Sequence, residues 1–349
     1  MEITDLLKLG IESKASDLHL VPGSSPVLRI DGELIQLKNI PVVSAEESKT
    51  LIYTFLSPEE QQDLERSLEL DMSLTINDLG NFRVNVMHQS KGLAAVFRFI
   101  PQIVPTFDTL DLPQILKSLL VLNHGLILIT GPTGSGKSTT QAAMIEYINT
   151  MRACNIVTIE DPIEFTYQNK KSIINQRQVG KDTHNVSTAL RSALRQDPDV
   201  ILLGELRDLE TIELALTAAE TGHLVLATLH ASSAPLAVNR IVDVFPTEEK
   251  NRVRNLLSET LQAAICQTLV KKIDGGRVGA FEIMLATPAI RHLIRSDKIA
   301  HMIMTMQTSG DLGMCTLDQY LQSLVMRKVI SAGVARSAAI NQEWFANMI

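Results

Sequence analysis

Cysteine is scarce in this chain. Its 349 residues hold three, Cys154, Cys266 and Cys315, odd in number, far apart and without a C-x-x-C pair. That excludes a disulfide framework or a thiolate zinc site and fits a reducing compartment. Cys154 and Cys266 sit in apolar surroundings and read as core filler. Basic runs are missing as well. Lys and Arg total 32 against 39 Asp and Glu, a net charge of −7, and no five basic residues stand together, so nothing asks for nucleic acid. Long apolar runs are also lacking. The longest mostly apolar stretch, Leu119 to Thr130, is broken by Asn123, His124 and Gly125, well short of the ~20 residues that cross a bilayer. The opening Met-Glu-Ile-Thr-Asp-Leu has no positive region of a signal peptide. The expectation is a cytoplasmic protein whose membrane role, if it has one, is peripheral or through a partner.

What is present is concentrated. Residues 125–130, Gly-Leu-Ile-Leu-Ile-Thr, read as an apolar strand, and Gly131, Pro132, Thr133, Gly134, Ser135, Gly136, Lys137 and Ser138 follow as G-x-x-x-x-G-K-[ST]. A helix is expected from Ser138 to Asn149. Such a loop turns successive backbone N–H groups inward at a helix N-terminus, a concavity suited to phosphate oxygens. Lys137 is placed for the β- and γ-phosphates of ATP, and the Ser138 hydroxyl for Mg²⁺.

Strand ends supply the remaining chemistry, because open parallel sheets deliver their carboxyl ends to the ligand crevice. Asn155–Ile159 ends in Glu160-Asp161-Pro162-Ile163-Glu164, so Glu160, Asp161 or Glu164 is placed for metal or water chemistry. Asp199–Leu203 ends in Gly204-Glu205. Gly204 takes the place of the usual Walker B aspartate, which leaves the metal to Ser138, waters and phosphate oxygens, and Glu205 to polarise the attacking water. His223–Leu229 ends at His230, where an imidazole can report a γ-phosphate. Positive charge against the transferred phosphoryl is sought in Arg83 and Arg98, with Arg191, Arg195, Arg207 and Arg240 as further candidates.

The chain divides by pattern into an N-terminal domain, 1–100, a linker, 101–114, punctuated by Pro101, Pro105 and Pro113, and a second domain, 115–349. In the first, Asp17–Val21 and Val27–Ile30 read as strands, Ser57-Pro58-Glu59-Glu60 as a helix start with a capping box, and Phe82 to Ile100 as a hairpin turning at 90–92. From Ile115 the strand–helix alternation with buried strands predicts a parallel sheet. A helix is read up to about Leu269, with a strand near Phe281. Met302, Met304 and Met306 read as adaptable core packing rather than a partner groove.

These residues resemble the secretion and type IV pilus ATPases. Residues 131–139 (including Thr139), Thr-Ile-Glu-Asp-Pro-Ile-Glu-Phe at 158–165, the run from Leu190 to Asp208, and Gly-His-Leu-Val-Leu-Ala-Thr-Leu-His-Ala at 222–231 carry the likeness. Ser16-Asp17-Leu18-His19-Leu20 and Ala289-Ile290-Arg291-His292-Leu293-Ile294-Arg295 extend it, the latter resembling the motif of the retraction motors. The gap between Leu269 and Phe281 lacks the four-cysteine insertion of extension and type II secretion relatives, and the chain begins near the Ser16 block, which points to the same branch. His292 stands where such motors often have Asn. The resemblance implies an α/β fold, with a PAS-like α+β N-terminal domain joined to a RecA-like P-loop ATPase domain that ends in a helical region. It also implies a homohexamer using ATP and Mg²⁺, with Lys137, Ser138 and Thr139 on phosphate and metal, Glu164 and Glu205 as acidic site residues, His223 and His230 in the histidine block, and Arg83 and Arg98 near the nucleotide. The partners implied are an inner-membrane pilus platform protein and a paralogous retraction ATPase. The alternatives are an accessory retraction ATPase or another secretion ATPase and, from the phosphate loop alone, a kinase or a regulator without turnover.

Overall fold

A computed structural model describes residues 2–77, 79–100 and 103–346. Pro101, expected to open the linker, lies outside the described residues. The chain separates into two compact units, Met1–Ile103 and Val104–Ile349.

In the first unit, α1 (Ile3–Glu12), α2 (Ala45–Tyr53) and α3 (Pro58–Ser67) accompany strands β1 (Asp17–Leu20), β2 (Val27–Ile30), β3 (Glu33–Gln36), β4 (Glu69–Ile76), β5 (Gly80–Gln89) and β6 (Gly92–Ile100). They form one antiparallel sheet in the order β3-β2-β1-β6-β5-β4. Helix α3 starts for the reason its sequence announces. The Ser57 hydroxyl accepts from the Glu60 N–H, the Glu60 carboxylate accepts from the Ser57 N–H, and Pro58 occupies a first-turn position where no N–H is needed. Period-two alternation sends Leu18, Phe82, Val84, Val86 and Phe97 into the core. On the opposite face, register lines up Arg29, Asp17, Arg98 and Arg83 across β2, β1, β6 and β5. Asp17 is 6% exposed and lies 3.0 Å from Arg98 Nε and 4.0 Å from Arg29 Nε. Among the described residues Arg83 has no carboxylate partner.

The second unit holds β7 (Gly125–Thr130), β8 (Asn155–Glu160), β9 (Ile173–Gln178), β10 (Val200–Leu203), β11 (Leu224–Leu229), β12 (Leu261–Lys271) and β13 (Arg277–Leu285). Their order is β13-β12-β7-β11-β10-β8-β9. All neighbours pair parallel except β12 and β13. Helices α4 (Ile115–Leu119), α5 (Lys137–Met151), α6 (Val186–Ala193), α7 (Leu209–Glu220), α8 (Ala234–Asp243) and α9 (Lys250–Thr260) cover the sheet, and α10 (Pro288–Arg295), α11 (Ile299–Thr308), α12 (Leu317–Met326), α13 (Ala332–Ala338) and α14 (Gln342–Ala346) follow it. Every residue of β7, β10 and β11 is buried, which is why these strands read as unbroken apolar runs rather than alternating ones. Two cores result. Val157, Ile201 and Val225 pack with residues of α6 to α9, and Ile127, Ile129, Leu202 and Leu226 pack with residues of α4 and α5.

Two expectations fail here. The segment ending near Leu269 is strand β12, not helix. Helix α9 stops at Thr260 and β12 starts at Leu261 with no Gly or Pro between them to mark the change, and burial on both faces hides the strand period. Its hairpin partner β13 adds an antiparallel edge to the expected parallel sheet. Of the three methionines, Met302 and Met306 are fully buried, whereas Met304 is 64% exposed.

Candidate nucleotide site

Strand β7 hands its chain to a loop shaped by glycine. Gly131, Gly134 and Gly136 have φ of 139°, 78° and 87°, a region other residues enter at a cost. Close approach adds a second constraint at Gly131, where a Cβ would stand 2.2 Å from the carbonyl oxygen of Gln267. Gly136 caps α5, and Lys137 is its first residue, so the free N–H groups of that first turn face the loop. The Lys137 ammonium rests 2.9 and 3.0 Å from the Gly131 and Pro132 carbonyl oxygens. Burial lowers its pKa, opposed by the charges of Glu205, Cys266 and Glu164. Among the described residues the buried Ser135 hydroxyl has no hydrogen-bond partner. Ser138 and Thr139 are half-buried in the first turn of α5.

Gln267 braces this loop from β12. It is 4% exposed and accepts from the Thr140 hydroxyl at 2.7 Å. Nothing in the sequence marked it beyond being a polar residue in an apolar strand.

Glu205 leaves the end of β10 and is held on two sides. His230 Nε2 lies 3.2 Å from Oε1, and Arg207 Nε donates to Oε2 at 2.8 Å. The loop is anchored to both neighbouring strand ends. The Gly204 N–H donates to the Ile159 carbonyl at 2.8 Å, the Leu206 N–H to the Thr228 carbonyl at 3.0 Å, and the Thr228 hydroxyl to the Gly204 carbonyl. A Cβ at Gly204 would lie 3.4 Å from Glu160 Cα and from the Ile159 carbonyl oxygen. A side chain here would meet the end of β8.

The three carboxylates after β8 separate. Glu160 is 9% exposed and accepts from the Thr158 hydroxyl at 2.7 Å and the Gln176 amide at 3.2 Å. Burial pushes its pKa up. Asp161 lies 3.5 Å from Arg207. Glu164 is exposed on an irregular segment, close enough for its charge to act on Lys137.

Of the candidate arginines in this unit, Arg207 follows the end of β10 beside Glu205 and Asp161, and Arg240 lines a cavity with Gly131, Pro132 and His230. Arg191 pairs with Glu210, and Arg195 donates to the Arg191 carbonyl. His223 is set apart from His230, its Nδ1 lying 3.0 Å from the Ala218 carbonyl in the last turn of α7. Arg83 and Arg98 belong to the first unit.

Among the described residues no group of three or more His, Cys, Asp or Glu is placed to cage a metal ion. The donor set fits Mg²⁺ as bound with phosphates, which keeps waters and takes few protein oxygens. Ser138 offers a hydroxyl in the first turn of α5, and the Glu164 and Asp161 carboxylates are exposed.

The sequence matches the type II/IV secretion system protein family over residues 2–326. It is 52% identical to the type IV pilus retractation ATPase PilT of Pseudomonas aeruginosa, across 97% of this chain and 98% of that protein. It is 49% identical to a twitching motility protein of Neisseria gonorrhoeae, across 91% of this chain and 85% of that protein. The fold superposes on the crystal structure of the pilus retraction motor PilT with bound ADP at a TM-score of 0.90, with 45% identity over the whole of both chains. With a phosphate loop, an acidic strand end and a histidine strand end on one sheet, and with likeness running through both units, the chain belongs to the type II/IV secretion system protein family, the secretion ATPases.

Proposed function

We propose that this protein is the ATP-hydrolysing motor that retracts a type IV pilus, working as a homohexamer in the cytoplasm against an inner-membrane platform protein. One observation carries the chemistry. Lys137, Glu205 and His230 come from three different strand ends and meet at the carboxyl edge of one parallel sheet, the His230 imidazole already on the Glu205 carboxylate. The likeness to retraction ATPases at 52% and to a twitching motility protein at 49% identity carries the biological role.

Each residue then has a task. The N–H groups of residues 133–139 receive the phosphates, and the Lys137 ammonium exchanges the Gly131 and Pro132 carbonyls for phosphate oxygens. Ser138 holds Mg²⁺, which neutralises charge on the β- and γ-phosphates when bound. Glu205 takes a proton from, or orients, the attacking water. His230 reads the γ-phosphate and returns to Glu205 after its loss. Glu164 completes the acidic rim, and Arg83 and Arg98 supply cationic charge within the ring. A paralogous retraction ATPase is a further partner, and nucleic acid is not one.

The test is steady-state phosphate release by the full chain with Mg²⁺ and ATP, beside its Glu205→Gln form. We expect turnover in the first and a loss of about 10²–10⁴-fold in the second. Equal turnover removes Glu205 from the chemistry. Turnover in the wild type with normal pilus retraction in cells lacking the gene would keep the ATPase and sink the primary motor role, in favour of the accessory one.

A further inference from the structure

Glu282 is the only charged residue between Val278 and Leu285, in the middle of β13. It is 4% exposed. A lone carboxylate in such a place needs partners, and its partners are unusual. Oε1 accepts from the N–H of Ala234 at 2.6 Å. Burial pushes the Glu282 pKa up, opposed by the backbone N–H groups of Ala234 and Leu317. Ala234 and Leu317 are the first residues of α8 and α12. First-turn N–H groups have no partner inside their own helix, and helix N-termini favour negative charge. One side chain therefore closes the end of α8 and stands beside the start of α12, where Leu317 lines the same cavity.

The two helices have different neighbours. Helix α8 begins four residues after His230, through Ala231-Ser232-Ser233. On α12, the Asp318 carboxylate accepts from the N–H groups of Ile340 at 2.8 Å and Asn341 at 3.0 Å. A cavity of about 690 Å³ joins these places, lined by Gly131, Pro132 and His230 beside the phosphate loop and by Glu282, Leu317 and Ile340 away from it.

We propose that Glu282 is a positioning residue for ATP turnover, tying the segment that carries His230 to α12 so that the state of the nucleotide site reaches the C-terminal helices. The role needs a carboxylate. It offers acceptor oxygens on both sides, whereas an amide offers one oxygen and would set its NH₂ against the second backbone N–H. The inference rests on the assignment of His230 to the nucleotide made above.

Hydrogen exchange on the full chain, with and without Mg²⁺ and a non-hydrolysable ATP analogue, tests it beside steady-state kinetics. In the wild type, nucleotide should slow exchange at 131–139, at 230–236 and at 317–326. In Glu282→Gln the first two responses should persist and the third should vanish. The ATP KM should stay within about twofold while kcat falls about five- to tenfold, the split expected when a group acts on the reacting state rather than on ground-state binding. A wild type in which 317–326 ignores nucleotide while 230–236 responds overturns the proposal. So does a variant with the wild-type response in both segments and unchanged kcat. Where melting shows that the Gln form is unfolded, Glu282→Asp takes its place, keeping the charge and losing one methylene of reach, with the same expectation. A wild type with no response even at 131–139 overturns the nucleotide reading itself, and this inference with it.

Discussion

The phosphate loop and the Glu205 cluster lie side by side and are built on different principles. The loop is held by backbone. Three glycines with positive φ, a Cβ-free approach to Gln267 and the end of a covered helix fix its shape. The cluster is held by charge. Glu205 sits between His230 and Arg207, which are 44% and 63% exposed, and exposed ion pairs hold weakly. A rigid cradle beside a loosely paired acid is what a motor site needs. The first must bind phosphate without paying for reordering, and the second must change partners when phosphate arrives or leaves.

If that contrast is right, the largest effect comes from removing the cation that the rigid cradle presents. Lys137→Ala should cost at least about 10²–10³-fold in kcat, the scale of deleting one preorganised electrostatic contact to a transition state, and should weaken calorimetric binding of ATP as well. Glu205→Gln should leave binding near wild type while turnover collapses, as the role on water proposed for this acid requires. A Lys137→Ala protein with normal turnover would erase the distinction.

The brace comes next. Gln267→Leu leaves the Thr140 hydroxyl without its buried acceptor, so the melting midpoint should report a loss of about 1–3 kcal/mol, with KM for ATP rising because the loop has lost its support. Unchanged KM with lowered stability would separate Gln267 from the cradle.

The same contrast governs what could be read from sequence. The cradle was legible, because its glycines, Lys137 and the strand–helix frame are local and each residue type has one physical use there. So were the capped helix at Pro58 and the hairpin through Phe82. The cluster was half legible. Glu205 and His230 stand at strand ends and could be picked out, but Arg207 could not be chosen over Arg191, Arg195 or Arg240, because its partner Asp161 comes from another strand. Strand β12 reads as helix because a strand buried on both faces shows no period. The roles of Gln267 and Glu282 and the ion pair of Asp17 with Arg98 are not legible in sequence, because their work is done across 48 to 127 residues, between elements that only the fold brings together.

The arginine row of the first unit offers a smaller test of charge against backbone. Arg98→Ala removes one of the two cations on buried Asp17, and should lower stability by up to about 1 kcal/mol, an exposed partner being worth little more. Arg83→Ala should leave stability unchanged, since no carboxylate meets it among the described residues, and even relieves a like-charge cross-strand pair. Loss of ATP turnover in Arg83→Ala without loss of stability would place its charge in the reaction, and unchanged turnover would withdraw it.

The smallest effect belongs to Glu160, which lies on the backbone side of the comparison although it carries a charge. Burial raises its folded pKa above the unfolded value. Between those two values the native state binds more protons than the unfolded state, so stability is fully present below the unfolded pKa and declines as pH rises through the folded one. Glu160→Gln keeps an oxygen to accept from Thr158 and Gln176 and cannot ionise. Its melting temperature relative to wild type should therefore be higher at pH 8 than at pH 4, by a few degrees at most. The opposite slope would mean that the ionised carboxylate is wanted in the folded protein, and would move Glu160 from the wall of the site to its chemistry.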